Sequence, residues 1–246
     1  MEIKTEFVNL SVDDGSSMRA YIARPAGQAR AGLIVFQEIF GINPHIRSIT
    51  ERFGREGYFA IAPELFHRSG PGWESGYTDM APAFAHMQQV TDASLSADIR
   101  AAYDRLQKDT GGIATGSVGY CMGGRVSTLA AMTVPLNCGI SYYGGGIAPS
   151  QFNPGLLGRL NELKAPMLFF WGGLDTHIPQ SSVQSVIDAL RAMKKTYVNV
   201  EFSDADHGFF CDARASYNAA AAAVAWPMTL AYLQTHTQAS AKHGTP

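Results

Sequence analysis

IATGSVGYCMGGR, residues 113–125, is the stretch of sequence that decides the fold of this chain. Residues 113–119 form a short apolar run that predicts a buried strand, and a helical pattern follows directly after it. Gly119 and Gly123 stand two residues before and two residues after Cys121. A tight turn from strand to helix leaves no room for side chains at these two positions. The spacing therefore fits the G-x-S-x-G nucleophile motif, with a thiol in place of the hydroxyl.

Cys121 would lie at the N-terminus of the helix predicted for residues 122–132. The dipole of that helix favours negative charge at this end, which favours the nucleophilic thiolate form of a cysteine. The alternative is a buried structural cysteine in a glycine-rich turn. The motif alone leaves both interpretations open.

The rest of the chain alternates short apolar runs with amphipathic stretches, which is the pattern of a mostly parallel sheet with helices on both faces. Residues 6–12 and 18–23 predict an antiparallel hairpin around the turn pair Asp14-Gly15. Further strands are predicted at residues 31–37, 58–62, 138–143, 167–171 and 197–202, and further helices at residues 44–56, 96–107, 181–193 and 217–232. The predicted fold class is α/β, with an N-terminal antiparallel hairpin.

The length of 246 residues favours a single domain, residues 1–246, because α/β domains often reach ~250 residues. Residues 65–77 are rich in Gly, Pro, Ser and aromatic residues, and they predict a loop over the sheet edge and not a domain linker. No internal repeat with a period of ~20 to 50 residues is visible. Residues 234–246 predict a polar tail.

Charge and cysteine content exclude several classes of function. Nineteen basic and 21 acidic residues give a net charge of −2 without any Lys/Arg-rich run, so neither a nucleic-acid partner nor a basic membrane-binding surface is expected. No apolar run approaches the ~18 residues of a membrane-spanning helix, and residues 1–6 do not resemble a secretory signal. The three cysteines lack the spacing of a metal site, and their odd number indicates reduced thiols. These features predict a cytoplasmic protein without a metal.

A carboxylate and a histidine follow two later strands of the predicted sheet. Asp175 comes after the strand at residues 167–171, and His207 comes after the strand at residues 197–202. Parallel sheets place functional groups in the loops beyond the carboxyl ends of their strands. In hydrolases with this nucleophile motif, the chain order is nucleophile, then carboxylate, then histidine. The order and the context predict a catalytic triad of Cys121, Asp175 and His207.

Other polar residues compete for these roles. Asp204 and Asp206 are nearer His207 in sequence, but a carboxylate on the same short loop is poorly placed to accept the Nδ1 hydrogen of the ring. His177 is a rival base. It precedes an Ile-Pro pair at a helix start, and we expect it to face solvent.

The segment QEIFG, residues 37–41, follows the predicted strand at residues 31–37. In this arrangement the loop after that strand supplies one N–H of an oxyanion hole, and the residue after the nucleophile supplies the other. The predicted donors are the backbones of Ile39 and Met122. Glu38 has two interpretations: it pairs with an arginine such as Arg125, or it lies near the thiol and holds it neutral at rest.

Together these segments resemble the dienelactone hydrolases of the α/β-hydrolase fold. The matching segments are QEIFG at 37–41, GYCMGG at 119–124, YYG at 142–144, GGLD at 172–175 and HGF at 207–209. The resemblance implies that Cys121 is the nucleophile, His207 the base and Asp175 its partner. It also implies that Glu38 pairs with the resting thiol and helps to deprotonate it when substrate enters.

The resemblance is weaker at the residues that would bind the substrate. Members of the family use arginines to hold a substrate carboxylate, one of them four residues after the histidine, where this chain has Cys211. Arg214 and Arg68 are candidate replacements that match no family position. The predicted pocket walls, each of which also fits a core position, are Phe40, Trp73, Tyr77, Tyr143 and Phe209.

The predicted activity is hydrolysis of a small-molecule ester or lactone through two acyl-transfer steps, without a cofactor. The first alternative is a general carboxylesterase or thioesterase on the same triad. The second is a non-catalytic binding module, whose mark would be the loss of a triad residue, and none is lost in this sequence. The glycines around Cys121 fit neither a dinucleotide-binding motif nor a P-loop. We expect a monomer or a small homo-oligomer.

Overall fold

The structure is a computed structural model that describes residues 1–78, 80–150 and 153–238. Its centre is an eight-stranded sheet with the order β1-β2-β4-β3-β5-β6-β7-β8. The strands are β1 (Ile3–Ser11), β2 (Ser17–Pro25), β3 (Ala31–Phe36), β4 (Tyr58–Pro63), β5 (Thr115–Tyr120), β6 (Cys138–Tyr142), β7 (Met167–Gly172) and β8 (Tyr197–Phe202). The predicted α/β fold class is confirmed, and so is the N-terminal hairpin.

Strand β2 is antiparallel to both of its neighbours, β1 and β4. All other neighbouring strands, from β4 through β3 and β5 to β8, are parallel. Every residue of β3, β4, β5, β6 and β7 is buried, as expected of strands covered on both faces. The strand β1 is mostly exposed because it forms one edge of the sheet. Beyond β5, β7 and β8 lie the loops that carry Cys121, Asp175 and His207.

Six α-helices surround the sheet in the described part of the chain. They are α1 (Pro44–Arg55), α2 (Met80–Met87), α3 (Asp92–Thr110), α4 (Met122–Thr133), α5 (Gln180–Ala192) and α6 (Ala219–Thr237). Phe53 of α1 contacts Trp226 of α6, with ring centroids 4.7 Å apart, and α3 packs against α4. None of these helices is long and apolar enough to cross a membrane.

Helix α1 begins where its sequence predicts. Asn43 is its N-cap, and the side-chain oxygen of Asn43 accepts the backbone N–H of Ile46 at 3.1 Å. Pro44 follows in the first turn, where its missing N–H costs nothing. The helix packs against β2 and β4. This start also places His45 in the first turn of α1, close to Glu38 and Cys211.

Some features of the fold were not predicted from the sequence. Residues 80–87 form α2, and residues 157–162 form a 3₁₀ helix, Leu157–Glu162, in stretches where the sequence pattern predicts neither. Helix α6 extends into the predicted polar tail, where Thr237 is buried. The rest of that tail, residues 239–246, lies outside the described residues.

Candidate active site

Cys121 lies on a sharp turn between β5 and α4. Its backbone has φ 54° and ψ −119°, and its N–H donates to the carbonyl of Tyr142 at 3.0 Å. A methyl group added at Gly119 would lie 1.8 Å from the carbonyl oxygen of Gly123, and one added at Gly123 would lie 2.3 Å from the carbonyl oxygen of Phe36. The two glycines are therefore required by the turn, as predicted. The turn leaves Cys121 partly exposed at the N-terminus of α4.

The loops after β7 and β8 bring Asp175 and His207 together. The Nδ1 atom of His207 lies 2.7 Å from Oδ2 of Asp175, and both residues are buried. The other carboxylate oxygen of Asp175 accepts the backbone N–H groups of His177 at 2.8 Å and Ile178 at 3.0 Å. The carboxylate is therefore held by its own loop and by the histidine at once.

The competing polar residues do not face the ring nitrogen. Asp206 is exposed, and its carboxylate accepts the backbone N–H of His207 at 2.6 Å. Asp204 is exposed, and its backbone carbonyl accepts the side chain of Asn218 at 3.3 Å. His177 is exposed as expected, with its ring centroid 5.2 Å from that of His207.

The surroundings of His207 act on its pKa in opposite directions. Burial lowers the pKa, whereas the negative charge of the Cys121 thiolate and the side-chain hydrogen bonds with Asp175 and Cys121 raise it to about 10. The raising effects together outweigh the effect of burial on the pKa of His207.

Glu38 is fully buried after β3 and pairs with Arg214. The Oε1 atom of Glu38 lies 3.2 Å from Nη1 of Arg214, and its Oε2 atom is buried without a hydrogen-bond partner. Arg125, the arginine suggested by the sequence, instead contacts Asp92 at 2.7 Å and the carbonyl of Gly146 at 3.0 Å. No local sequence signal indicates the pairing with Arg214, because 176 residues separate the two partners.

Two backbone N–H groups predicted to form an oxyanion hole have no partner. In the part of the chain that the structure describes, neither the N–H of Ile39 nor that of Met122 donates a hydrogen bond. The loop that carries Ile39 is fixed by Gln37, whose Nε2 donates to the carbonyl of Glu38 at 3.3 Å and whose Oε1 accepts the N–H of Leu65 at 3.2 Å. The role of these two N–H groups as an oxyanion hole stays a prediction.

The predicted pocket residues divide into two groups. Trp73 and Tyr77 are partly exposed, whereas Phe40, Tyr143 and Phe209 are almost fully buried and support the site from the core.

Arg68, a candidate for binding a substrate carboxylate, has two carboxylate partners within the protein. Its guanidinium binds the buried carboxylate of Asp98 at 2.8 Å and the carboxylate of Asp14 at 2.7 Å. These contacts link Arg68 to the turn of the N-terminal hairpin, and its role in substrate binding stays a prediction.

A second polar cluster adjoins Glu38, and no sequence motif pointed to it. One oxygen of Glu38, one ring nitrogen of His45 and the sulfur of Cys211 all lie within 4.8 Å of one another, and all three residues are buried. The thiol of Cys211 also lies 3.2 Å from the hydroxyl of Tyr77. Sequence spacing could not indicate this cluster, because its members come from distant segments of the chain.

Burial separates the other two cysteines from Cys121. Burial raises the pKa of the Cys138 thiol to about 12. Burial and the nearby charge of Glu38 raise the pKa of the Cys211 thiol to about 11. Both thiols therefore stay protonated at neutral pH, and Cys121 is the most exposed thiol of the chain.

Comparisons with known proteins find relatives that match over nearly the whole chain. Residues 18–237 match the family model described as "Dienelactone hydrolase family". A Synechocystis protein named "Putative carboxymethylenebutenolidase" is 35% identical over 243 residues, which cover 96% of this chain and 98% of that protein. The carboxymethylenebutenolidase of Pseudomonas putida is 30% identical over 234 residues, which cover 93% of this chain and 96% of that protein. The crystal structure of "Putative Dienelactone Hydrolase" from Klebsiella pneumoniae matches with a TM-score of 0.85 and 34% identity, covering 94% of this chain and 98% of that one.

Proposed function

The chain belongs to the dienelactone hydrolase family of carboxylic ester hydrolases, and from that premise we propose that it cleaves an ester or lactone with Cys121 as nucleophile. His207 acts as acid and base, and Asp175 orients its ring. The observation that carries the proposal is the 2.7 Å contact between His207 and Asp175 beside a cysteine on the nucleophile turn.

The first step is attack by the Cys121 thiolate on the substrate carbonyl. The negative charge that develops on the carbonyl oxygen is stabilised by the N–H groups of Ile39 and Met122. The imidazolium of His207 then gives its proton to the leaving alkoxide, and an acyl-thioester remains on Cys121. In the second step His207 takes a proton from water, which attacks the thioester carbonyl. The carbon–sulfur bond then breaks, so the acid is released and the Cys121 thiolate is regenerated.

We propose that Glu38 pairs with the resting thiol of Cys121 and helps to deprotonate it when substrate enters. Its Oε2 atom is buried and has no partner, so it is available as an acceptor. Its Oε1 atom is held by Arg214, which fixes the orientation of the carboxylate. Glu38 therefore assists in forming the thiolate, while His207 transfers protons to and from the substrate.

The thiol nucleophile restricts the substrate class. A thiolate is a good leaving group, so a tetrahedral intermediate formed from an amide tends to expel the thiolate and return to substrate. Activated esters and lactones expel the alkoxide instead. We expect hydrolysis of enol esters and lactones and little hydrolysis of simple peptides.

The role of Cys121 is tested by trapping the acyl-enzyme. Wild-type protein is mixed with an aryl ester, quenched in acid and digested, and the peptide carrying the acyl group is identified by mass spectrometry. We expect the acyl mass on Cys121 and a large loss of turnover in Cys121→Ser. The matched control is Cys138→Ser, which changes a buried thiol of the same chain. An acyl group on Cys138 or Cys211, with full turnover in Cys121→Ser, would overturn the proposal.

One observation favours a general carboxylesterase or thioesterase as a second candidate. The family position for a carboxylate-binding arginine is Cys211, and Arg214 is already paired with Glu38. A substrate without a carboxylate would not need such an arginine. Comparing kcat/KM for a dienelactone, an aryl ester and an acyl thioester separates the two candidates, because only a lactone hydrolase prefers the first by a large factor.

A further inference from the structure

We propose that Glu38, His45 and Cys211 form a binding site for a zinc-class divalent cation, and that metal bound there inhibits the enzyme. Their candidate donor atoms lie within 4.8 Å of one another, and all three residues are buried. The inhibition, unlike the binding, rests on the proposed function, because Glu38 belongs to both sites.

Two of the three donor residues carry a polar atom without a partner in the protein. The Oε2 atom of Glu38 and the Nε2 atom of His45 are both buried without a hydrogen bond, in residues that are 0% and 8% exposed. A buried polar atom without a hydrogen bond is costly, because it has lost its water and gained nothing in return. Two such atoms beside one buried thiol indicate a ligand that would satisfy them together.

The Nδ1 atom of His45 has the kind of partner that is usual for a histidine in a metal site. Its Nδ1 atom lies 3.5 Å from a carboxylate oxygen of Asp212, whose side chain is exposed. That contact leaves Nε2 as the buried nitrogen without a partner. A histidine that binds a metal through one nitrogen usually donates the other N–H to a carboxylate, a carbonyl or water, which fixes the tautomer and the ring.

Glu38 and Cys211 also have neighbouring side chains that orient them. Arg214 contacts Oε1 of Glu38 and leaves Oε2 for a metal. The sulfur of Cys211 lies 3.2 Å from the hydroxyl of Tyr77, whose oxygen also accepts the side-chain N–H of Asn43 at 3.1 Å. Because Asn43 occupies that oxygen, the hydroxyl hydrogen of Tyr77 is free to turn towards a thiolate.

The donor set selects the class of metal. Imidazole, thiolate and carboxylate are the ligands of Zn²⁺, which takes three protein donors and one open position at bond lengths of ~2.0–2.3 Å. Donors bound in that geometry are about 3.5 Å apart. The spacing of up to 4.8 Å in the structure therefore closes by side-chain movements on the order of 1 Å.

Binding changes the charges at the site in a defined way. The thiol of Cys211 loses its proton to solvent as the metal–sulfur bond forms, and no electron is transferred. The resulting thiolate and the carboxylate of Glu38 carry two negative charges, which match a divalent cation. The metal then occupies Oε2 of Glu38, so that oxygen is no longer available to take the proton of Cys121. This competition is the proposed cause of inhibition.

The metal site is tested with Co²⁺ as a spectroscopic probe in the full-length Cys121→Ala variant. That background removes the other thiol–imidazole pair, Cys121 and His207, which is the main rival site. We expect one equivalent of Co²⁺ to give a sulfur-to-cobalt charge-transfer band that Zn²⁺ displaces. Adding Cys211→Ser should abolish the band, and adding His45→Gln should weaken binding at least tenfold.

Two results would overturn the site: loss of the band in Cys121→Ala, or its persistence after Cys211→Ser. Urea unfolding midpoints check that each variant is folded. If Cys211→Ser does not fold, X-ray absorption of zinc-loaded Cys121→Ala decides instead, because the proposal requires one sulfur neighbour at ~2.3 Å.

Inhibition is measured separately, on the wild-type enzyme after metal removal with a chelator. We expect one equivalent of Zn²⁺ to lower ester hydrolysis at least tenfold and the chelator to restore it. Binding without loss of turnover would refute the inhibition. Failure of the metal-free enzyme to hydrolyse any ester would instead refute the proposed function, whereas the Co²⁺ band would remain.

Discussion

The Nδ1 atom of His207 lies 2.7 Å from Oδ2 of Asp175, although 32 residues separate them in the chain. The two side chains meet because β7 and β8 are parallel neighbours whose following loops lie at the same edge of the sheet. The second oxygen of Asp175 accepts two backbone N–H groups of its own loop. The position of the carboxylate is therefore fixed independently of the histidine, and the carboxylate fixes the tautomer of the ring.

We expect Asp175→Asn to lower kcat by about 10³- to 10⁴-fold, because an amide no longer selects the ring tautomer that serves as base. Steady-state hydrolysis of an aryl ester measures the change. The matched control is Asp206→Asn, which alters an exposed carboxylate bound to the backbone N–H of His207 and not to its ring. A comparable loss in the control would show that Asp175 has no special role.

We expect His207 to titrate with a pKa of about 10 in the wild-type protein. Since the thiolate of Cys121 and the hydrogen bonds with Asp175 and Cys121 outweigh burial, the ring keeps its proton through neutral pH and loses it as the pH rises through about 10. Removing the thiolate in Cys121→Ala should move the pKa downwards, towards the ~6.5 of a free imidazole. Nitrogen-15 NMR of labelled histidines reports the protonation of both ring nitrogens.

Cys211→Ala is the control for that titration, because Cys211 is not among the main groups that shift the pKa of His207. We expect its His207 to titrate as in the wild type. If the pKa of His207 were the same in Cys121→Ala and in the wild type, Cys121 would not interact with the ring.

The turn around Cys121 and the loop positions of Asp175 and His207 can be predicted from local sequence. The strand–turn–helix pattern around Cys121 depends on glycines within a few residues, and its steric reason is visible in the structure. Asp175 and His207 follow the rule that functional groups come directly after strand ends. Short residue spacings and the order of strands and loops can both be recognised in a single sequence.

What the sequence does not predict depends on side chains that meet across the fold. The partner of Glu38 is 176 residues away, and nothing near Glu38 distinguishes Arg214 from Arg125. In the sequence, His45 is an ordinary residue in the first turn of α1, and Cys211 is an isolated cysteine. Helix α2 is hard to predict because only Ala83 of it is buried, so its sequence shows little amphipathic pattern.

We expect Glu38→Gln to lower the free energy of unfolding by about 3 kcal/mol, because it leaves Arg214 partly buried beside a neutral group. Arg214→Met should also be destabilising. The double variant should lose less than the sum of the two, because it removes both charges of the pair. Urea unfolding of the four proteins gives the coupling energy.

The exposed pair of Arg24 and Glu6, also 3.2 Å apart, is the control for burial. Its side chains are 42% and 49% exposed, so the same double-variant cycle should give a coupling below about 1 kcal/mol. Equal coupling energies for the two pairs would mean that burial does not strengthen the pair of Glu38 and Arg214.

We expect Gly119→Ala to destabilise the protein by about 3 kcal/mol or more, since the added methyl group would lie 1.8 Å from the carbonyl oxygen of Gly123. The methyl group would be bonded directly to the backbone, and the oxygen is itself a backbone atom, so the clash is relieved only if the turn between β5 and α4 moves. Cys121 would then move with the turn. Gly158→Ala is the matched control, because its added methyl group would meet nothing within 4 Å. Its free energy of unfolding should change by less than about 0.5 kcal/mol. Urea unfolding and aryl-ester turnover are measured on both variants. A stable, fully active Gly119→Ala would show that the close approach of the turn is not needed to hold the thiol in place.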